Sequence, residues 1–299
     1  MRRKCLDAFM ALLQILSVQC SKPEPAVHQE NIDEEPEPTV VTRFTVKGQI
    51  SSCELFIYRE DELGSLAAHW TWMPAANDRE VAGGGANELS AFIRLEKGRY
   101  SAVAVCNAYA PVNPLAVQRR DAFDSFKYSF TDENPASPLC CAAVEFEAGN
   151  DVTIVPRKHL CTVHLVSVCR QFGGELGRTV VQQPRVFLRN VPATVEILRE
   201  RDFHPSGFIN LKPMPETICR NLGRDLGYDE QRPALELYCY PNDSPGTDIA
   251  APHTKIAIEG RLNGQYHCWE ADLGPIGRGG DIYAEFVLYD ENSCSCRVY

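Results

Sequence analysis

The residues that could do chemistry in this 299-residue chain are its thirteen cysteines and seven histidines. Cys294 and Cys296 are the nearest approach to a chelating pair, but no second pair stands at the spacing of a structural zinc site. The sequence has no Gly-x-Ser-x-Gly elbow, no His-Glu-x-x-His helix and no Walker-type phosphate loop. We therefore predict no metal site, no cofactor and no enzymatic activity.

The histidines stand where structural roles are the ordinary outcome. His164 lies in the β-branched run Leu160–Cys169, which is typical of a central strand. A hydrogen-bonded core or edge histidine is the expected role there, and a metal ligand is the alternative. His69, His204 and His253 stand in loop-like stretches of the sequence. None of these positions predicts a catalytic group.

Three tryptophans leave a second class of function open. Trp70, Trp72 and Trp269 could line a glycan-binding platform, because aromatic faces stack on sugar rings. Such a platform requires the three rings to be exposed and coplanar, whereas core packing is the alternative. A secreted β-sandwich hydrolase is a third class, and it would need a cleft with two carboxylates at glycosidase spacing.

The N-terminus has the layout of a secretory signal peptide over residues 1–19. Met1–Lys4 supplies positive charge, and Leu6–Val18 is mostly apolar but too short to span a bilayer. The five residues that end at Cys20 resemble a bacterial lipobox, although Gln19 stands where a small residue is usual. We predict that Cys20 becomes the lipidated first residue. The alternative is a buried amphipathic helix in which the cysteine is incidental.

Residues 20–41 predict an extended tether. Prolines punctuate this segment and acidic residues dominate it, so it cannot bury enough apolar surface to fold. Its prolines favour a stiff spacer, which would hold a folded body away from a membrane. A disordered N-terminus of a cytosolic protein is the other interpretation, but it leaves the preceding apolar run unexplained.

Composition describes a folded body that does not bind nucleic acid. Hydrophobic residues make up 44% of the chain, which is enough for a core in each of two domains. The formal net charge is −10. A protein that binds nucleic acid without sequence preference needs a basic surface to neutralise phosphates, so we exclude that class.

Residues 42–157 predict a first β-sandwich domain. Arg43–Gly48 and Cys53–Tyr58 are its predicted opening strands, with a turn between them. The Ala/Val run within Arg99–Asn107 predicts a strand that is buried on nearly both faces. Cys106 inside this run is expected to behave as a small core residue.

Residues 158–299 predict a second β-sandwich domain, so the fold class is all-β with two tandem sandwiches. Leu235–Tyr289 consists of segments in which apolar and polar residues alternate, separated by turn residues, and we interpret it as an antiparallel meander. Asn263-Gly264, between two such strands, is the strongest hairpin signal in the chain.

Short motifs in both domains resemble those of one protein family. They are Leu95–Tyr100 followed by Val103–Asn107, then Phe187–Pro192, Tyr238–Asn242 and Ile282–Phe286. With the lipobox-like N-terminus, their order resembles the FimB-type fimbrillin-associated anchor and accessory proteins of Bacteroidetes. The resemblance covers most of residues 20–299.

This resemblance implies a lipoprotein at the cell outer membrane, exposed on the surface and anchored through lipid on Cys20. It implies two transthyretin-like sandwich domains and no catalysis. The chain would be an anchor or accessory subunit of a fimbrium and would bind a neighbouring fimbrial subunit by β-strand addition. An open sheet edge is a template for such a strand.

In the family that the chain resembles, polymerising subunits are cut after an arginine near the N-terminus, which frees a groove for the next subunit's strand. Arg43 stands at the start of the predicted first strand, just before Phe44-Thr45-Val46, so such a cut is chemically possible. An anchor must keep the lipid on Cys20 joined to its fold. We therefore predict that Cys20 to Tyr299 stays intact, and a mature N-terminus at Phe44 would instead indicate a stalk or tip subunit.

The residues after the predicted strand Ile282–Leu288 are expected to form a short tail. In an exported protein, Cys294 and Cys296 in this tail could form a local disulfide. A tail of this length leaves little chain for a donor strand, whose reach is about 3.3 Å per residue. This also favours an acceptor or base subunit.

Overall fold

The structure of the protein, a computed structural model, describes residues 38–73, 86–198, 208–209, 219–244, 246 and 252–299. Strands account for nearly all the regular structure of these residues. Pro38–Tyr299 forms one compact unit. The predicted signal peptide, Cys20, the tether as far as Glu37, and His204 lie outside the described residues. The predicted all-β fold class is confirmed.

The strands are short and follow one another closely. In chain order the first nine are β1 (Thr39–Ile50), β2 (Cys53–Arg59), β3 (Leu66–Trp72), β4 (Ala86–Glu96), β5 (Arg99–Cys106), β6 (Lys127–Ser129), β7 (Cys140–Glu147), β8 (Val152–Ile154) and β9 (Arg157–Lys158). The others are β10 (Cys161–Arg170), β11 (Gln182–Arg189), β12 (Val191–Pro192), β13 (Thr194–Glu196), β14 (Phe208–Ile209), β15 (Cys219–Asn221), β16 (Leu235–Cys239), β17 (Lys255–Leu262), β18 (Gln265–Asp272), β19 (Asp281–Leu288) and β20 (Cys294–Val298). Among the described residues, helix is limited to α1 (Arg120–Asp124) and short 3-10 turns at Pro114–Val117, Phe130–Asp132 and Gly174–Arg178.

The first sandwich packs a three-stranded sheet, in the order β4-β1-β8, against a five-stranded sheet, in the order β3-β2-β5-β7-β9. Alternate residues of β1 and β5 face the core between the sheets, among them Phe44, Val46, Ala102 and Ala104. A period of two residues is what a strand with one face in the core requires.

The other face of the five-stranded sheet is covered as well. Phe56, Val103 and Val105 pack there against Phe123 of α1 and against Leu139. Both faces of β5 are therefore buried, which confirms the prediction made from its Ala/Val run. The irregular chain between β5 and β7 folds back as the cover.

The second sandwich packs the sheet β16-β10-β19-β20 against the sheet β15-β11-β17-β18. β10 is central in its sheet, as its β-branched sequence predicted, and lies antiparallel to β16 and parallel to β19. Leu188, Ile258, Trp269 and Phe286 are completely or almost completely buried between the two sheets.

The predicted meander over Leu235–Tyr289 is wrong, although its central hairpin is right. β17 and β18 pair around Asn263 and Gly264, whose φ angles of 51° and 82° fit a two-residue turn with both residues in the left-handed region. β16 and β19, however, lie in the opposite sheet, each beside β10. Alternation in sequence marks strands, but it does not show which sheet each strand joins.

A small sheet and a partly buried carboxylate join the two halves of the unit. β6 pairs with β13, so Tyr128 lies opposite Val195. The Tyr240 hydroxyl donates to Glu133 Oε1 at 3.0 Å, and burial raises the pKa of that carboxyl. The sheets themselves divide near residue 158, but the division into domains 42–157 and 158–299 stays a prediction.

Asn107 directly follows β5 and lies in the left-handed region, with φ 63°. Its Oδ1 accepts from the Ser51 N–H at 2.7 Å, and its Nδ2 donates to the carbonyls of Gln49 and Pro138 at 3.0 and 3.1 Å. The side chain is largely buried and ties three chain segments together. Asparagine suits this position because it tolerates a positive φ and carries both a donor and an acceptor.

We expect Asn107→Ala to lower the free energy of unfolding by about 3–4 kcal/mol. Backbone strain accounts for about 1 kcal/mol of this, and the lost hydrogen bonds account for the rest. The matched control is Asn263→Ala, at an exposed asparagine with a similar φ of 51°, where only the strain of about 1 kcal/mol applies. Urea unfolding of both variants measures the difference. Equal losses would contradict a bonding role for the Asn107 amide.

Candidate strand-docking edges

In each sheet of the two sandwiches, the outermost strands have a hydrogen-bonded neighbour on one side only. Within the described part of the chain, β20 and β16 bound one sheet of the second sandwich, and β4 and β8 bound the small sheet of the first. An outer strand presents unpaired N–H and C=O groups, which another chain can bind. Strand addition therefore requires such an edge, or a resident strand that can be replaced.

β1 is the resident strand that fills the space between β4 and β8, which we call the first-strand slot. Its side chains Phe44, Val46 and Ile50 are at most 1% exposed. The Phe44 ring meets Phe146 edge-on, with 5.1 Å between centroids. Burial of each such side chain contributes about 1.5–3 kcal/mol, so the slot favours an apolar side chain at every second position.

Arg43 lies well inside β1 and not at the start of the first strand, so that part of the prediction is wrong. β1 already begins at Thr39, within the range predicted for the tether, and Thr39–Arg43 pairs with Phe92–Glu96 of β4. The Thr42 hydroxyl accepts from the Gly149 N–H at 2.8 Å. The sequence did not indicate a strand at Thr39–Arg43 because its pairing partner in β4 lies about fifty residues away. A cut after Arg43 would remove five paired residues and leave Phe44–Ile50 in the slot.

The C-terminal residues form a strand and not the predicted tail. β20 pairs antiparallel with β19, and Cys296 lies opposite Phe286. Cys294 and Cys296 share the inward face and pack against the core of the second sandwich. The alternation of these cysteines with Ser295 and Arg297 was the available signal of a strand.

The two cysteines of β20 are partly buried thiols. The Cys294 thiol donates to the Glu270 carbonyl at 3.3 Å, and burial raises the pKa of Cys296 to about 12. A thiol held protonated is a poor metal ligand. Among the residues that the structure describes, no group of three or more histidine, cysteine or acidic side chains could hold a metal ion.

A row of rings crosses the sheet that β20 bounds. His164 stacks on Tyr283 with 4.7 Å between ring centroids, and Tyr283 stacks on Tyr299 at 6.0 Å. His164 is partly exposed on central β10 and lies 3.7 Å from Glu236 and 3.8 Å from Asp281. Because these rings face one another, they do not offer a flat platform to a sugar.

The tryptophan platform that the sequence left open is not formed. Trp269 is 1% exposed, and its Nε1–H donates to the Asp290 carbonyl at 2.7 Å. Trp70 and Trp72 lie on β3 and pack against the core of the first sandwich. The three rings therefore belong to two different cores. They cannot be exposed and coplanar together.

Glu54 is a buried carboxylate that the sequence did not single out. Its Oε2 accepts from the Val112 N–H at 2.8 Å, and its Oε1 lies 3.6 Å from His69 Nε2. Burial raises the pKa of Glu54 and lowers that of His69. His69 is part of β3 and not of the predicted loop, and it stacks on Phe56. These contacts fasten the chain after β5 to the sheet.

Comparison with known proteins identifies the fold. No family model and no curated protein matches the sequence. A fimbrilin (fimA) from Porphyromonas gingivalis W83 has a TM-score of 0.62 at 8% identity, over 87% of this chain and 96% of that one. A cell adhesion protein from Bacteroides eggerthii DSM 20697 has a TM-score of 0.61 at 14% identity, over 88% and 96%.

A third solved structure shares the fold over a similar extent. The tip fimbrial protein Mfa3 from Porphyromonas gingivalis, with a C-terminal truncation, has a TM-score of 0.54 at 10% identity, over 88% of this chain and 99% of that one. The chain therefore has the all-β fold of these proteins, over nearly the whole length of each solved chain. In the part of the chain that the structure describes, no helix has the length and apolar character needed to cross a bilayer.

We expect Phe44→Ala to lower the free energy of unfolding by about 3–5 kcal/mol, because it empties the centre of the first-strand slot. The matched control is Phe92→Ala on neighbouring β4, where the ring is 67% exposed and only borders the Arg43 guanidinium. That change should cost less than about 1 kcal/mol. Urea unfolding measures both, and similar losses would show that β1 is not anchored through its inward face.

Proposed function

We propose that this chain is a cell-surface fimbrial anchor or accessory subunit of the FimB type, held at the outer membrane by lipid on Cys20. The fold shared with a fimbrilin and a tip fimbrial protein, over nearly the whole of each chain, carries this proposal. The signal-like N-terminus and the lipobox-like residues before Cys20 support export and anchoring. The role is structural and not enzymatic.

The partner is a neighbouring fimbrial subunit, which binds by adding a strand. Main-chain hydrogen bonds supply affinity in this mode, and pockets for alternate side chains supply specificity. The outer side of β20 suits such a partner, since β20 has no strand beyond it among the described residues. The first-strand slot is filled by the chain's own β1, so the subunit does not need a donor to complete that sheet.

An anchor must keep its lipid covalently joined to the folded body. Lipid on Cys20 reaches the fold through the residues that lead to Thr39, where β1 begins. A cut after Arg43 would separate the lipid from Phe44 and the rest of the fold. We propose that residues Cys20 to Tyr299 remain one chain in the assembled fimbrium.

We expect Cys20→Ala to abolish lipid attachment, leaving the precursor uncleaved or the protein released from the outer membrane. Membrane fractionation with metabolic labelling by a palmitate analogue measures both effects. Cys5→Ala is the matched control, because Cys5 lies in the same predicted signal segment but not at its end. Normal amounts of the Cys20→Ala protein at the outer membrane would overturn the anchor assignment.

We expect protein purified from assembled fimbriae to begin at Cys20 and to carry fimbrial subunits with it. Mass spectrometry of the N-terminal peptide and of the co-purified chains measures both. Arg43→Ala should change neither result, because Arg43 is not a processing site in an anchor. A mature N-terminus at Phe44 that disappears in Arg43→Ala would identify a stalk or tip subunit instead.

A further inference from the structure

Two buried cysteines face each other in the centre of the five-stranded sheet. Cys53 of β2 lies directly opposite Cys106 of β5. Both side chains are 0% exposed, and the Cys106 thiol donates to the Cys53 sulfur at 3.5 Å. Two thiols in contact across a sheet are candidates for oxidation to a disulfide, provided that the backbone geometry permits one.

Hydrogen bonding around the pair shows that its geometry is favourable. The Asn107 N–H donates to the Ser52 carbonyl at 3.0 Å, so Ser52 and Asn107 form a backbone-hydrogen-bonded pair. Such pairs alternate with non-hydrogen-bonded pairs along an antiparallel ladder, which makes Cys53 and Cys106 a non-hydrogen-bonded pair. Cβ atoms approach most closely in pairs of that kind, and a disulfide needs about 3.5–4.5 Å between them.

A third cysteine, Cys140 of β7, competes for Cys106 from the other side. The Ala148 N–H donates to the Gly98 carbonyl at 2.9 Å, and the register from there to Cys106 and Cys140 has no shift. Cys106 therefore points its backbone groups at β7, and its pair with Cys140 is the wider, hydrogen-bonded kind. The Cys140 thiol donates instead to the Pro138 carbonyl at 3.3 Å.

We propose that Cys53 and Cys106 form a cross-strand disulfide in the exported protein, an inference that rests on the proposed export. The two thiols lose two protons and two electrons and gain one S–S bond. The electrons pass by thiol–disulfide exchange to a disulfide-bearing oxidant, either an oxidase of the periplasmic space or a small disulfide such as oxidised glutathione, which leaves as two thiols.

Exchange takes place while the sheet assembles. In the finished fold the hydrogen bond to Cys53 and burial hold the pKa of Cys106 well above its usual range. The thiolate is the attacking species, so a folded and reduced molecule oxidises slowly. The bond would fasten β2 to β5, the two strands that are buried on both faces of this sheet.

Cys161 of β10 and Cys239 of β16 are a second pair of cysteines on directly opposite strand positions. This pair differs from the first in the direction of its backbone hydrogen bonds. The Thr162 N–H donates to the Gly280 carbonyl at 3.0 Å, towards β19. Neighbouring residues of a strand point their backbone groups to opposite sides, so those of Cys161 point at β16. This pair is the wider, hydrogen-bonded kind, and the proposal does not extend to it.

The test maps the thiols of protein recovered from the cell envelope. Free thiols are alkylated in denaturant, and peptides are analysed before and after reduction. We expect Cys53 and Cys106 to escape alkylation and to appear as one cross-linked peptide pair, while Cys140 is alkylated. Reduction should lower the melting temperature of the wild type and of Cys140→Ala by about 5–10 °C and leave Cys53→Ala unchanged.

A second arm separates the disulfide from the proposed function. Purified protein is unfolded, reduced and refolded with reduced and oxidised glutathione, where only the fold directs pairing. Formation of the Cys53–Cys106 bond there supports the geometry even if cell fractionation contradicts export. Full alkylation of both residues in both arms, or a cross-link from Cys106 to Cys140, would overturn the proposal.

Discussion

The first sandwich depends on one strand that is hydrogen bonded along both edges. β1 pairs antiparallel with β4 and parallel with β8, and in the described part of the chain β8 has no other strand beside it. Without β1, its two neighbours would leave backbone groups unpaired, and Phe44 and Val46 would leave the core. An unpaired backbone group that is buried costs about as much as a lost hydrogen bond. The same backbone pairing and apolar burial therefore hold the first sandwich together and give the first-strand slot its affinity for a strand.

Local signals in the sequence predicted local structure correctly. Asn263 and Gly264 form the expected hairpin because a two-residue turn with positive φ angles selects those residues without help from the rest of the chain. Sheet membership was not predictable in this way, and the interpretation of Leu235–Tyr289 as a meander failed there. The start of β1 was missed for a related reason, since Thr39–Arg43 becomes a strand only by pairing with distant β4.

The candidate edges and the cysteine pair depend on register, which a single sequence does not contain. Cys53 and Cys106 look like two isolated core residues in the sequence, and only the pairing of β2 with β5 brings their sulfurs together. The asparagine at the end of β5 was visible as a motif, but its bonds to Gln49 and Pro138 were not. In the second sandwich Asn190 also follows a strand with a positive φ and donates to the His253 carbonyl. In both sandwiches, therefore, a core strand is followed by an asparagine with a positive φ whose side chain donates to a backbone carbonyl.

The geometry of β1 bears on how an anchor would carry load. In the proposed function, tension from the lipid on Cys20 enters the fold at Thr39 and acts along the strand. Most of β1 is paired with β4, and Phe44–Val46 is also paired with β8. Pulling along a strand loads these hydrogen bonds together, whereas pulling at right angles would break them one at a time. Thr39–Arg43, which a cut after Arg43 would discard, is the first part of this joint. An intact β1 is therefore what the proposed membrane-held subunit requires.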